Sequence, residues 1–211
     1  FTFKRTALSI RTLKEAKRIN PDVQFLVSPW TAPPWMKNPM RYAGGRLNPI
    51  YYDAYARYLI RSLREFEQRG ISIDYITIVN EPYITFQVWR YPQMQMDTAE
   101  QIAFIRDYFA PLLEQELKAG TLKTKVLLLD HNWDDAIDVG QMLNEPAIYN
   151  VTGGVAFHCY SGNENQITEY MAGHPEVPVF VSECSGLIND NQLLDFTFWS
   201  SHFAIDGMAL G

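Results

Sequence analysis

The chain has only two cysteines, Cys159 and Cys184, too few for a disulfide framework and not in a Cys-x-x-Cys spacing. Neither they nor the four histidines form a cluster with metal-ligand spacing. No G-x-G-x-x-G or Walker loop follows any apolar run, which removes the nucleotide-binding motifs. Excess positive charge is lacking as well: the net charge is −6, and nothing points to a nucleic-acid or polybasic membrane partner. No stretch approaches the roughly 20 apolar residues a membrane-spanning helix needs. There is no internal repeat, low-complexity tract or linker, so residues 1–211 read as one domain. The chain opens on FTFKRTAL, with no initiator Met and no charged-then-apolar leader; a removed export signal is compatible with this.

Hydrophobic residues are plentiful at 47%, enough for a substantial core, and aromatics reach 14%. Five nearly continuous apolar runs stand out at 23–30, 73–81, 125–133, 153–160 and 178–184. Such runs read as strands buried on both faces, the kind found in parallel sheets. Between them lie helical segments. Residues 50–70 carry a stripe of Tyr55, Leu59, Ile60, Leu63 and Phe66 and a stop signal at Gly70. Residues 97–109 open with the capping-box pair Asp97 and Glu100, and Pro111 is expected to kink or end that helix. A last helix is expected over 191–204.

Repeated strand–helix units mean an α/β fold, either an open doubly wound sheet or a (β/α)8 barrel. Polar and aromatic residues at the ends of nearly every run favour the barrel: Trp30, Glu81, Asp130 with His131 to Trp133, His158 with Tyr160, and Glu183. An open sheet would gather its site at one switch point. Five strands fall short of eight, so the expectation is an incomplete barrel, lacking two strands at the front and one at the back.

The triplet Asn-Glu-Pro occurs twice, at 80–82 and at 144–146. Glu81 ends an apolar strand run, whereas Glu145 follows a helical segment and belongs to the opposite, stability face. Acid–base chemistry by a carboxyl commonly needs a second one opposite it, and Glu183 ends its own run as Glu81 does. Alternation places Tyr75, Thr77, Val79 and Glu81 on one face, and Val179, Val181 and Glu183 on one face. Two acids at the same ends of strands three apart would meet across the barrel mouth. The acid's pKa must then be raised while the nucleophile stays ionised.

At these residues the chain resembles glycoside hydrolase family 30, through SPWTAPPWMK (28–37), NEP (80–82), LLLDHNW (127–133), AFHCY (156–160) and VSECSG (181–186). The family includes glucosylceramidases, β-1,6-glucanases, β-1,6-galactanases and glucuronoxylanases. The resemblance implies a (β/α)8 TIM barrel with an attached β-sandwich, present here as about strands 3 to 7 without the sandwich. It implies a retaining β-glycosidase, with Glu81 as acid/base on the fourth strand and Glu183 as nucleophile on the seventh. No metal or organic cofactor is implied. The implied partner is a β-linked oligosaccharide, polysaccharide or glycolipid, and the HCYSGN and DHNW stretches lean towards the β-1,6-glucanase and β-1,6-galactanase branches. An extracellular or periplasmic location is implied as well.

The resemblance also assigns Asn80 to the sugar 2-hydroxyl, which needs a bend because alternation points it away from Glu81. Tyr160 is expected to reach Glu183, while His158 stands between a site role and a structural one. Trp30 and Trp133 are candidate sugar-binding walls. Asp130 is open between a sugar contact and a salt bridge. Cys159 and Cys184 are expected near each other, pointing outwards, as free thiols. The rival readings are a non-catalytic carbohydrate-binding barrel and an inactive piece of a larger glycosidase.

Overall fold

The structure is a computed structural model that describes residues 7–84, 91–163 and 165–185. Its elements run α1 (Ala7–Ile19), β1 (Leu26–Val27), β2 (Lys37–Asn38), β3 (Arg46–Leu47), α2 (Tyr52–Glu67) and β4 (Tyr75–Ile76). Then come α3 (Thr98–Phe104), a π-helical turn (Ile105–Phe109), α4 (Ala110–Lys118), β5 (Lys125–Asn132) and a 3-10 stretch (Trp133–Asp138). The remainder is α5 (Val139–Leu143), α6 (Pro146–Tyr149), β6 (Thr152–His158), α7 (Asn165–Tyr170) and β7 (Val179–Glu183).

The main sheet has the order β1-β4-β5-β6-β7, and every pairing in it is parallel. Each strand lies beside the next main-sheet strand in the chain, with helices in the crossovers. The order never reverses, so there is no switch point. A sheet wound in one direction curls into a barrel wall, here five strands of a (β/α)8 arrangement. The hairpin β2–β3 forms a separate antiparallel pair outside this wall. No apolar run or alternation over these residues points to that pair.

The local rules that shape the helices are visible. Helix α2 buries Tyr52, Tyr55, Ala56, Leu59, Ile60 and Leu63, the i, i+3, i+4 face that its apolar stripe dictates. It ends in a Schellman turn: Gly70, at φ 72°, donates its N–H to Glu67 O, and Ile71 donates to Phe66 O. At α3 the capping box is complete, with Asp97 accepting from the Glu100 N–H and Glu100 accepting from the Asp97 N–H. Pro111 neither ends nor starts a separate helix: α3 runs on into α4 through the π turn directly before the proline. A π turn widens the ladder where an imino acid has no N–H to contribute. The helix expected over 191–204 lies outside the described residues.

Strands β1 and β4 are shorter than their apolar runs. Beyond Val27 and Ile76 the two segments are joined by single backbone bonds, Thr77 N–H to Val27 O (3.1 Å) and Asn80 N–H to Pro29 O (2.8 Å), and by the Thr77 and Ser28 hydroxyls (2.9 Å). Pro29 has no N–H to return. Both segments bend at that point, which exposes their ends as the floor of a cleft. Among the described residues no helix is long and apolar enough to cross a membrane.

Candidate active site

A cleft of about 620 Å³ opens at the C-terminal ends of the main-sheet strands, and both Glu81 and Glu183 line it. Two local features of β4 and β5 set its floor. Glu81 has φ 49°, a left-handed conformation that turns the chain where simple alternation would have continued. Asn80 and Glu81 therefore both face the cleft. Leu129 and Asp130 are also left-handed, at φ 71° and 55°, and the β5–β6 register shifts between Leu129 and His131. The two distortions meet, since the Glu81 N–H donates to Asp130 O at 3.0 Å.

Beneath Glu81 lies a buried polar column. His158 is fully buried, with Nδ1 3.3 Å from Glu81 Oε1 and Nε2 3.2 Å from Asp130 Oδ1. Both partners of the ring are carboxylates, so only the doubly protonated imidazolium satisfies both. Burial pulls its pKa down, but the bonds to Asp130 and Glu81 outweigh that and raise it to about 9. Asp130 accepts from Ser28 Oγ (2.5 Å), Thr77 Oγ1 (2.8 Å) and Ser182 Oγ (2.7 Å) as well. Burial works to raise its pKa, and these donors together with His158 bring it below the ordinary value. The column ties β1, β4, β5, β6 and β7 together through one carboxylate.

The opposite wall is held differently. Glu183 is oriented by Tyr160, whose hydroxyl lies 3.4 Å from Oε2 and 3.0 Å from Ser185 Oγ. Cys159 and Cys184 form a disulfide across β6 and β7, next in line after the His158–Glu183 register pair, with 5.2 Å between their Cα atoms. This corrects the expectation of free thiols: adjacent parallel strands bring the two Cβ atoms within bridging reach. The bridge flanks both Tyr160 and Glu183. Burial pushes the Glu183 carboxyl up, His158 opposes this, and the charges of Glu81 and Asp130 add to it. The upward direction runs against the expected division of labour, in which the nucleophile is the unperturbed acid.

One oxygen of Glu81, one of Glu183 and a ring nitrogen of His158 lie within 4.8 Å of one another. That spacing would suit a cation, but His158 offers no lone pair while both its nitrogens serve carboxylates. Two carboxylates with an imidazolium against them are the better description of the trio.

The other expected residues divide. Trp30 stands at the rim, 39% exposed, beside Tyr91. Asn80 is buried at the edge of the cleft, and its Oδ1, closed off from solvent, has no hydrogen-bond partner among the described residues. Trp133 is not a wall: it is buried and stacks on Phe157, with ring centroids 5.2 Å apart. The β5 bulge resets the alternation just before it and turns it into the core. Of the two roles left open for Asp130, the structure shows the salt bridge: it pairs with His158 at 3.2 Å and is closed off beneath the cleft. Glu145 lies away from the cleft, 3.5 Å from Arg106 Nη1.

The sequence did not single out Tyr83, Tyr91, Asn132 or Asp135, which also line the cleft, nor assign a role to His131. His131 stacks on Tyr83 at 5.5 Å and accepts the Asn132 N–H at Nδ1. Burial lowers its pKa although Asp135 opposes this, so it is the neutral neighbour of the charged His158. The signal for the polar column was present: Ser28, Thr77 and Ser182 interrupt otherwise apolar strand runs.

The chain matches the Glycosyl hydrolase family 30 TIM-barrel domain over residues 2–205. It is 32% identical to the endo-1,6-beta-D-glucanase BGN16.3 of Trichoderma harzianum over 186 residues, covering 82% of this chain and 36% of that protein. It is 28% identical to the putative glucosylceramidase 1 of Caenorhabditis elegans over 202 residues, covering 89% of this chain and 37% of that protein. The solved structure of the endo-beta1,6-glucanase BT3312 superposes with a TM-score of 0.84 at 26% identity, over 100% of this chain and 48% of that one. SrfJ from Salmonella typhimurium superposes with a TM-score of 0.87 at 25% identity, over 100% of this chain and 47% of that one. The chain thus spans a little over a third of these curated relatives and about half of the solved ones. On its sequence and on its half-barrel fold, it belongs to glycosyl hydrolase family 30.

Proposed function

We propose that this chain carries the catalytic centre of a retaining β-glycoside hydrolase, with β-1,6-linked glucan or a related β-glucoside as substrate. The observation that carries the reading is the approach of the two acids within 4.8 Å at the ends of β4 and β7. Retaining enzymes hold their carboxyls about 5–5.5 Å apart, whereas inverting ones leave about 6.5–9.5 Å for a water. Glu183 attacks the anomeric carbon as the glycosidic C–O bond breaks, and Glu81 gives its proton to the departing oxygen. Water then displaces the sugar from Glu183 and leaves its proton on Glu81.

The buried column explains how Glu81 is kept in place. The imidazolium of His158, fixed from below by Asp130, fastens one oxygen of Glu81. Tyr160 does the corresponding work for Glu183. Asn80, which lines the cleft beside Glu81, suits a sugar hydroxyl, and the Trp30–Tyr91 rim suits the faces of sugar rings. The β-1,6 preference is supported by the glucanase relatives, and the glycolipid alternative by the glucosylceramidase relatives. The Cys159–Cys184 bridge supports an exported protein, because such bonds persist in oxidising compartments. The strands and the sandwich that would complete the fold belong to this proposal as further sequence.

Proton NMR of the first-formed sugar anomer, with the full-length protein on β-1,6-gluco-oligosaccharides, tests the reading. A β-anomer that appears first and mutarotates later supports it. An α-anomer sinks the double displacement, and binding without turnover would favour the carbohydrate-binding alternative.

A further inference from the structure

The cleft wall that carries the exposed aromatics is built from parts distant in sequence. Trp30 follows β1, while Tyr91, Pro92 and Gln93 precede α3, and the Trp30 and Tyr91 rings stand 6.3 Å apart. A buried lysine joins the two segments. Lys37, at the start of β2, is 3% exposed, and its Nζ donates to Thr31 Oγ1 (2.6 Å), Tyr42 O (3.0 Å) and Gln93 O (2.5 Å). Thr31, next to Trp30, donates to the same Gln93 carbonyl at 3.2 Å. Backbone bonds complete the join: Gln93 N–H to Tyr42 O (3.0 Å) and Gln95 N–H to Gly45 O (2.8 Å). Gly45, at φ 76°, allows this tight hairpin, since a Cβ there would fall 2.7 Å from Asn38 O.

Burying an ammonium group without a counter-ion is unfavourable. Among the described residues no carboxylate pairs with Lys37. Arg41, between the two strands of the same hairpin, is of like sign and adds to the penalty. Arg46, beside the β3 residue opposite Lys37, is committed to Asp97 and Glu100 of α3. A methionine would occupy similar space without the penalty. What the lysine adds is three donors, and all three are in use.

We propose that Lys37 is a positioning residue for sugar binding, whose buried ammonium clamps the Tyr91–Gln93 segment to Thr31 and Tyr42 and so fixes the Trp30–Tyr91 pair. The proposal rests on the reading of the cleft as a glycosidase site. The clamp needs three protons, and a neutral amine has two. On deprotonation either one acceptor is released, or Thr31 turns its proton to the amine and its own bond to Gln93 O is lost. Burial first, and Arg41 second, pull the lysine pKa down to about 8, so this loss falls within reach of ordinary assays. Global stability moves the other way. A lysine whose folded pKa lies below its unfolded value of 10.5 is penalised below pH 8, and the penalty lifts as pH rises from there. Weaker sugar binding above pH 8 is then a local effect and not unfolding driven by this group.

The test compares the full-length wild type with Lys37→Met on a β-1,6-gluco-oligosaccharide from pH 6 to 9.5. Losing the clamp should raise KM about tenfold at pH 7, with kcat within about threefold. The variant-to-wild-type KM ratio should fall towards one as pH passes 8, because the wild type then loses what the variant already lacks. Hydrogen exchange at the Gln93 and Gln95 amides should be faster in Lys37→Met, with β6 protected as in the wild type. An unchanged KM, a ratio independent of pH, or unchanged Gln93 and Gln95 protection would overturn the proposal. If Lys37→Met does not fold, Thr31→Val should raise KM in the same direction by about threefold, and an unchanged KM overturns it instead. If the wild type cleaves no substrate, the catalytic reading has failed separately, and amide exchange with equilibrium oligosaccharide binding still decides on the clamp.

Discussion

The same tripeptide occupies two places in this chain and does two different jobs. At Asn80-Glu81-Pro82 it closes the bent segment that runs on from the C-terminal end of β4. The backbone turns left-handed at Glu81, the Glu81 N–H is held by Asp130 O, and the Met96 N–H closes on Pro82 O at 3.0 Å. At Asn144-Glu145-Pro146 it joins two short helices. Asn144 donates its N–H to Gly140 O at the end of α5, and Pro146 begins α6, where a missing N–H is no loss. The carboxylate of Glu81 meets a buried imidazolium, and that of Glu145 meets the half-exposed guanidinium of Arg106. Residue identity is equal in the two triplets. What differs is the address: the C-terminal end of a barrel strand against the connection that feeds β6 from below.

Removing each carboxylate should separate the two most sharply. Glu81→Gln is expected to lower kcat by roughly 10²–10⁴-fold on natural glycosides, and by much less on aryl glycosides whose leaving group needs no proton. Steady-state rates on both substrate types check this, and equal losses on both would remove the acid role. Next in size is the frame around the opposite acid. The Cys159–Cys184 bridge closes a loop with a sequence separation of 25, so Cys159→Ala with Cys184→Ala should cost about 3 kcal/mol of stability in a denaturant titration. Turnover should weaken with it, since Tyr160 and Glu183 sit on either side of the bridge.

The imidazolium beneath Glu81 makes a pH prediction with a definite sign. The folded pKa of His158, about 9, lies above its ordinary 6.5. Its contribution is therefore fully present below pH 6.5 and lost as pH rises through 9. The stability difference between wild type and His158→Gln should shrink over that window, by at most on the order of 3 kcal/mol. A difference that is flat with pH would mean the ring is neutral. The smallest effect belongs to the second triplet: Glu145→Gln should leave kcat unchanged and stability within about 0.5 kcal/mol, as expected for a surface ion pair.

Much of this was legible in the chain, and the rest was hidden for identifiable reasons. Continuous apolar runs revealed the five parallel strands because burial on both faces leaves little room for anything else. The position of Glu81 and Glu183 at the ends of such runs brought them to one mouth. Trp133 was misplaced because the bulge at Leu129 and Asp130 adds a residue, and a one-residue slip reverses every later side chain. Asp130 stayed open between two roles because a buried carboxylate is recognisable only with its partners, and Ser28, Thr77, His158 and Ser182 are far apart in the chain. Ser28, Thr77 and Ser182 were visible as polar breaks in apolar runs, yet nothing local says that they converge. The hairpin β2–β3 escaped because its paired segments are two residues each, too short for any alternation to show.

The central claim is that Glu183 and Glu81 are a working pair, with Glu183 bearing the sugar. Trapping with an activated 2-deoxy-2-fluoro-β-glucoside, followed by peptide mass spectrometry of the full-length protein, tests it most directly. The account predicts one fluoroglucosyl group per chain, esterified to Glu183 within the peptide around Val179–Glu183, and no label in Glu183→Gln. A label on any other carboxylate, or steady turnover of the natural substrate by Glu183→Gln, would contradict it.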